Sequence, residues 1–226
     1  MNAKGLPSIG LPSDIQTAGS RARVFTRVNY RQQIRLGHAG GCPDVPIHLI
    51  TTIDSSGSVV NGKDCIGHRF LELQVAIEQV AKRCTCGLEL VSILHFDHPV
   101  RNELFAVTLT NQHDIQSALT MPYDGGGCSL LGPSLAIAAQ LARNHPDHRN
   151  VLVALSDFQL FDPPHVWKDF AAFPGEVHAC VLGGGYVDFS GADVTVTNIE
   201  HSNPPGEAPQ VLGRSYTGCG SRLKAA

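Results

Sequence analysis

Three short stretches of the chain combine carboxylates, hydroxyls and glycines: Asp54-Ser55-Ser56-Gly57-Ser58, Gly126-Gly127-Cys128-Ser129 and Ser156-Asp157. A hard dication such as Mg²⁺ takes oxygen ligands in an octahedron and keeps several of its waters. In Asp54-x-Ser56-x-Ser58 a tight turn through Gly57 can swing two hydroxyls toward one point, while aspartates neutralise the ion directly or through water. Ligands so poor in negative charge leave the cation with electrostatic demand that an outside carboxylate can meet. The chemistry these residues suit is capture of a metal and, through it, of an acidic group.

The neighbouring sequence must place these loops together. Ile47-His-Leu-Ile-Thr-Thr-Ile53 is strongly β-prone and ends in Asp54, and residues 150–156 form a buried-type strand ending in Ser156. Further strands are expected at 88–96, 103–109, 176–182 and 193–199. Helices are expected at 66–83, where Phe70, Leu71, Val75, Ile77 and Val80 fall near helical spacing, and at 114–119, 132–143 and 163–172. Pro133 suits a first helical turn, where a missing N–H costs nothing. Strands alternating with helices imply an α/β fold: a Rossmann-like, doubly wound, mostly parallel central sheet with helices on both faces. In such sheets ligands bind at the carboxyl ends of the strands, which is where the three loops fall.

Taken in order, these segments resemble von Willebrand factor type A (VWA) domains. Asp54-x-Ser56-x-Ser58, the Gly-Gly-hydroxyl loop and the Ser-Asp at a later strand end look like that family's metal-ion-dependent adhesion site. Residues 90–97 resemble the family's next strand, 126–141 its second loop and helix, and 151–157 its fourth strand, so the likeness covers roughly residues 45–185. The resemblance implies that Asp54, Ser56, Ser58, Ser129 and Asp157 hold the metal, Mg²⁺ or else Mn²⁺ or Ca²⁺. Ser129 would replace the usual threonine, with Cys128 as the other occupant of that place in a loop one residue longer. The third loop reads Ser-Asp-Phe158 instead of Thr-Asp-Gly, and a bulky Phe158 beside the metal is expected to narrow or grease the ligand site. The resemblance further implies a cytoplasmic adaptor or scaffold that binds a protein offering Asp or Glu, with an AAA-type ATPase as one kind of partner.

Other chemistries fit less well. The glycine loop lacks the lysine of a P-loop, and Gly127-Cys128-Ser129-Leu130-Leu131 is not a nucleophile elbow. No general base stands in a convincing motif, so an enzyme is not expected; a metal-assisted hydrolase at the same edge is the alternative, and a metal-free interaction domain another. His95, Asp97 and His98 read as a polar surface loop at a strand end, and Cys84 and Cys86 as small buried apolar groups, spaced too closely for the usual zinc knuckle.

With 17 basic and 20 acidic residues the chain has a formal charge of -3, too weak a field to drive nucleic-acid binding. The arginines at 21, 23, 27, 31 and 35 form one local basic feature. The seven cysteines are irregularly spaced and are read as reduced. Reduced cysteines lead to the expectation of a cytoplasmic location; no apolar run approaches a membrane span, and the N-terminus shows no secretory pattern. The expected organisation is an arm with an extra alternating strand (1–44, the strand at 23–31), a VWA-like domain (45–200) and a C-terminal tail (201–226).

Overall fold

The computed structural model describes residues 42–60, 66–96, 103–119, 129–183, 187–189 and 192–199. The extra strand at 23–31, the basic arginines and the C-terminal tail lie outside them.

Strand β1 (Ile47–Asp54) is buried along its whole length, as is β4 (Arg149–Ser156) after its first residue. Such near-continuous burial belongs to central strands covered on both faces. They pair with each other in parallel, Ile47 opposite Arg149 and Ile53 opposite Leu155. Around them lie β2 (Leu90–Phe96), β3 (Leu104–Thr108), β5 (Glu176–Leu182) and β6 (Val194–Ile199), in the order β3-β2-β1-β4-β5-β6. Only β3 runs antiparallel to its neighbour. The reach from Phe96 to Leu104 is shorter than the dozen or so residues that a parallel crossover needs. The edge strands β3 and β6 are mostly half-buried or exposed.

Between the strands run α1 (Gly57–Val60), α2 (Ile66–Ala81), α3 (Gln112–Ala118), α4 (Gly132–Asn144) and α5 (His165–Ala171). Side chains alternate across β1. Ile47, Leu49 and Ile53 pack with Leu73 and Ile77 of α2 and Ile115 of α3, whereas Ile50 packs with Leu135 and Ala138 of α4 and Phe170 of α5. The two hydrophobic cores therefore lie on opposite faces of one sheet, as the helix periodicities required. Within the described residues the expected strands and helices are present with ends shifted by a residue or two; α1, a single turn directly behind Asp54-Ser55-Ser56, was not expected.

The strand order reverses between β1 and β4. In an open α/β sheet this reversal splays the following loops apart and leaves a crevice at the carboxyl ends. Asp54 and Ser156 are the terminal residues of the two strands that flank it.

Candidate metal-binding site

Asp54 is fully buried where β1 stops. Its Oδ1 accepts the Ser56 backbone N–H at 2.8 Å, a local turn that swings the chain from strand into α1. Its Oδ2 accepts the Ser156 hydroxyl at 2.5 Å, across the reversal point. The Ser156 oxygen in turn accepts the Phe158 N–H at 2.8 Å, so one hydroxyl links the two strand ends and shapes the loop behind β4. The Ser56 and Ser58 hydroxyls stand 3.1 Å apart, Ser56 buried and Ser58 exposed.

The electrostatics follow from this burial. Desolvation pushes the Asp54 carboxyl above the ordinary aspartate range, and the nearby Asp157 charge pushes the same way. The bonds from Ser156 and Ser56 pull against that shift. Among the described residues, no lysine or arginine forms an ion pair with Asp54. The donors gathered here are carboxylate and hydroxyl oxygens, the set that suits a hard dication.

The outer parts of the site are tied in less directly. Asp157 turns one oxygen to the Gln159 N–H at 3.0 Å. Ser129 is buried, and its carbonyl accepts the Phe161 N–H at 2.9 Å, which stitches the loop before α4 to the loop after β4. Asp162 strengthens the same seam: its two oxygens take the N–H groups of Leu131 (2.6 Å) and Gly132 (2.8 Å), orphan donors at the start of α4. Gly126, Gly127 and Cys128 lie outside the described residues.

Three expectations need correction. Phe158 does not narrow the ligand site. It has a φ of 55°, the left-handed conformation that glycine adopts freely, and its buried ring turns away to meet Trp167, Phe170 and Phe189 at centroid distances of 6.2, 6.2 and 6.5 Å. His95 is not part of a polar surface loop (Asp97 and His98 lie outside the described residues). It is buried, with Nε2 at 2.7 Å from the Ala118 carbonyl and Nδ1 at 3.3 Å from the Ser55 hydroxyl. A neutral ring protonated at Nε2 satisfies both contacts and holds the first loop against α3. Cys84 and Cys86 are not buried apolar groups; Cys84 is half-buried and Cys86 exposed.

Two residues have roles that the sequence alone does not show. The sequence showed Ser156 beside Asp157 but not which of them meets Asp54; the parallel β1–β4 register decides it. Asp162, in Asp-Pro-Pro, looks like the start of α5, yet it caps α4.

No protein-family model and no curated protein sequence matches the chain. Solved structures do. The SpRpn10 VWA domain is 13% identical with a TM-score of 0.57, over 78% of this chain and 99% of its own. A von Willebrand factor type A protein from Catenulispora acidiphila is 15% identical with a TM-score of 0.57, over 79% of this chain and 46% of its own. Proximal thread matrix protein 1 from the mussel byssus, in a structure with a zinc-occupied MIDAS motif, is 19% identical with a TM-score of 0.52, over 78% of this chain and 48% of its own. The chain thus has the VWA fold. It spans about half the length, or less, of several of these proteins. Among the described residues no helix is long and apolar enough to cross a membrane.

Proposed function

We propose that this domain binds a partner protein through a divalent metal at the carboxyl edge of its sheet. Ser56, Ser58 and Ser129 supply hydroxyls to Mg²⁺, with Mn²⁺ or Ca²⁺ as substitutes, and Asp54 and Asp157 balance the charge. The observation that carries this reading is Asp54: a fully buried carboxylate at the sheet's reversal point, bonded to a hydroxyl and an amide but paired with no cation among the described residues. A buried charge of this kind is costly unless it is paired or coordinates a metal. Bound there, the metal supplies a positive centre whose remaining demand a partner's Asp or Glu meets. The mussel protein with a zinc-occupied MIDAS supports a divalent ion on this fold, and a Lactobacillus rhamnosus GG pilus adhesin with a TM-score of 0.59 and 12% identity supports a binding role.

The role is adaptor or scaffold rather than catalyst, within the cytoplasm, and an AAA-type ATPase is one candidate partner. His95 supports a binding site over a hydrolytic one, since both its ring nitrogens are engaged in holding the first loop. The test is a pull-down from a cell extract with wild type and Asp54→Ala, each with and without a chelator. Partners retained by wild type in Mg²⁺, and lost both with chelator and in Asp54→Ala, are expected. Capture that survives both treatments contradicts the metal-dependent reading and favours a metal-free interaction surface.

A further inference from the structure

We propose that Cys42, Cys84 and Cys86 form a second metal site, a thiolate site for Zn²⁺, at the amino edge of the sheet. The three come from two segments far apart in the sequence. Cys42 lies in the loop leading into β1, and Cys84 and Cys86 in the turn between α2 and β2. Because β1 and β2 are parallel, both segments arrive at the same edge, opposite the aspartate loops. Their three sulfurs all lie within 4.8 Å of one another, with Cys84 and Cys86 at 3.4 Å. Tetrahedral Zn²⁺ with bonds of about 2.3 Å separates its sulfurs by roughly 3.8 Å, so small side-chain movements suffice to seat the ion.

Backbone N–H donors face two of the sulfurs. The Thr85 N–H points at the Cys42 sulfur from 3.3 Å, and the Leu88 N–H at the Cys86 sulfur from 3.5 Å. Donors of this kind orient metal-binding sulfurs and stabilise their charge. The turn depends on Gly87, whose φ of 69° lets the chain double back so that Leu88 can reach Cys86. A fourth ligand stands ready: Glu89 is buried, its Oε2 fixed by the Ile47 N–H at 2.6 Å, and its Oε1 lies 3.7 Å from the Cys86 sulfur. The close Cys-x-Cys spacing is no obstacle, because the third sulfur comes from 42 residues upstream of Cys84. Soft thiolates select Zn²⁺ over the hard ions that suit the oxygen site. The ion would tie the entry of β1 to the α2–β2 turn, a closure that fixes the amino edge of the central strands.

The test uses the full chain, reduced and stripped of metal, titrated with Co²⁺ as a spectroscopic stand-in. Expected are a sulfur-to-cobalt charge-transfer band in the near ultraviolet and tetrahedral bands in the visible, both displaced by one equivalent of Zn²⁺. They persist in Asp54→Ala and are lost in Cys42→Ser, whose folding is checked by far-ultraviolet circular dichroism. A metal held only at the carboxyl edge, through oxygen, gives no thiolate band; that result in wild type overturns the proposal. So does a thiolate band unchanged in Cys42→Ser, or a purified chain whose mass shows a Cys84–Cys86 disulfide that persists when Zn²⁺ is supplied during expression.

Discussion

The two edges of the central sheet gather opposite kinds of ligand. At the carboxyl edge, Asp54, Ser56 and Ser156 are buried and offer oxygen. At the amino edge, Cys42, Cys84 and Cys86 are exposed or half-buried and offer sulfur. The difference follows from how each edge is made. The carboxyl edge is formed by the ends of two central strands, so a residue such as Asp54 inherits the burial of β1. The amino edge is formed by a loop and a turn outside the strands, and its sulfurs stay within reach of solvent. Asp54 is therefore a desolvated carboxyl with no cation paired to it among the described residues, and in the proposed reading a metal relieves it. At the amino edge the proposed Zn²⁺ would add to the bonds that already join the two segments, Thr85 N–H to Cys42 and Ile47 N–H to Glu89.

If the edges select ions by ligand chemistry, Zn²⁺ stabilises the fold through the cysteines. At a hundred to a thousand times its dissociation constant it adds about 3–4 kcal/mol. Thermal unfolding should show that rise in wild type and its loss in Cys42→Ser. An equal rise in Cys42→Ser would place the zinc at the oxygen edge.

Phe158→Gly separates the carboxyl edge from the core beneath it. The variant relaxes the left-handed backbone but removes a ring packed on Trp167, Phe170 and Phe189. The net cost should be about 2–4 kcal/mol in denaturant unfolding. Mg²⁺ affinity should change little, because the ring faces inward. A large loss of affinity at unchanged stability would contradict that placement.

Acid separates the edges by sign. His48, toward the amino end of β1, is buried beside His145 and His148, with Nδ1 3.2 Å from Asn150 and Nε2 2.8 Å from Ser92. Burial first, then the neighbouring His145, push its pKa from 6.5 to about 4. Below pH 6.5 the unfolded chain takes a proton that the native chain refuses, so roughly 3 kcal/mol is lost progressively toward pH 4. Asp54 acts in the other direction. Its raised pKa favours the native state as pH falls, while the bound proton competes with the metal. Metal-free stability measured against pH in wild type and His48→Gln should show a shallower acid loss in the variant, and Mg²⁺ affinity should weaken on acidification in both.

The smallest effect expected is that of Ser156→Ala. It leaves Asp54 Oδ2 without its hydroxyl donor, at about 1–2 kcal/mol, and raises the carboxyl pKa further. Mg²⁺ affinity near neutral pH should fall a few-fold, with its pH dependence moved to higher pH. An unchanged pH profile would mean that Ser156 serves the fold alone.

Much of this arrangement was legible in the sequence because it depends on local pattern. The β1 and β4 segments announced themselves as apolar runs ending in polar loops, and Asp54-x-Ser56-x-Ser58 marked the edge to examine. What stayed hidden depends on pairing between distant segments or on a single backbone angle. Ser156 emerges over Asp157 as the partner of Asp54 only through the β1–β4 register. Phe158 points inward because of one positive φ that no composition signals. Asp162 caps a helix 30 residues earlier in the chain. The sulfur cluster does not show in the spacing of Cys84-Thr85-Cys86, because Cys42 joins it only after β1 and β2 pair.

Whether a metal is held around the buried Asp54 is read out by calorimetric titration of Mg²⁺ and Mn²⁺ into wild type and Asp54→Ala. Saturable binding near one equivalent is expected in wild type, retained in Cys42→Ser and abolished in Asp54→Ala. Binding of equal strength in Asp54→Ala, or none in wild type even with a partner peptide carrying Asp or Glu present, would contradict it.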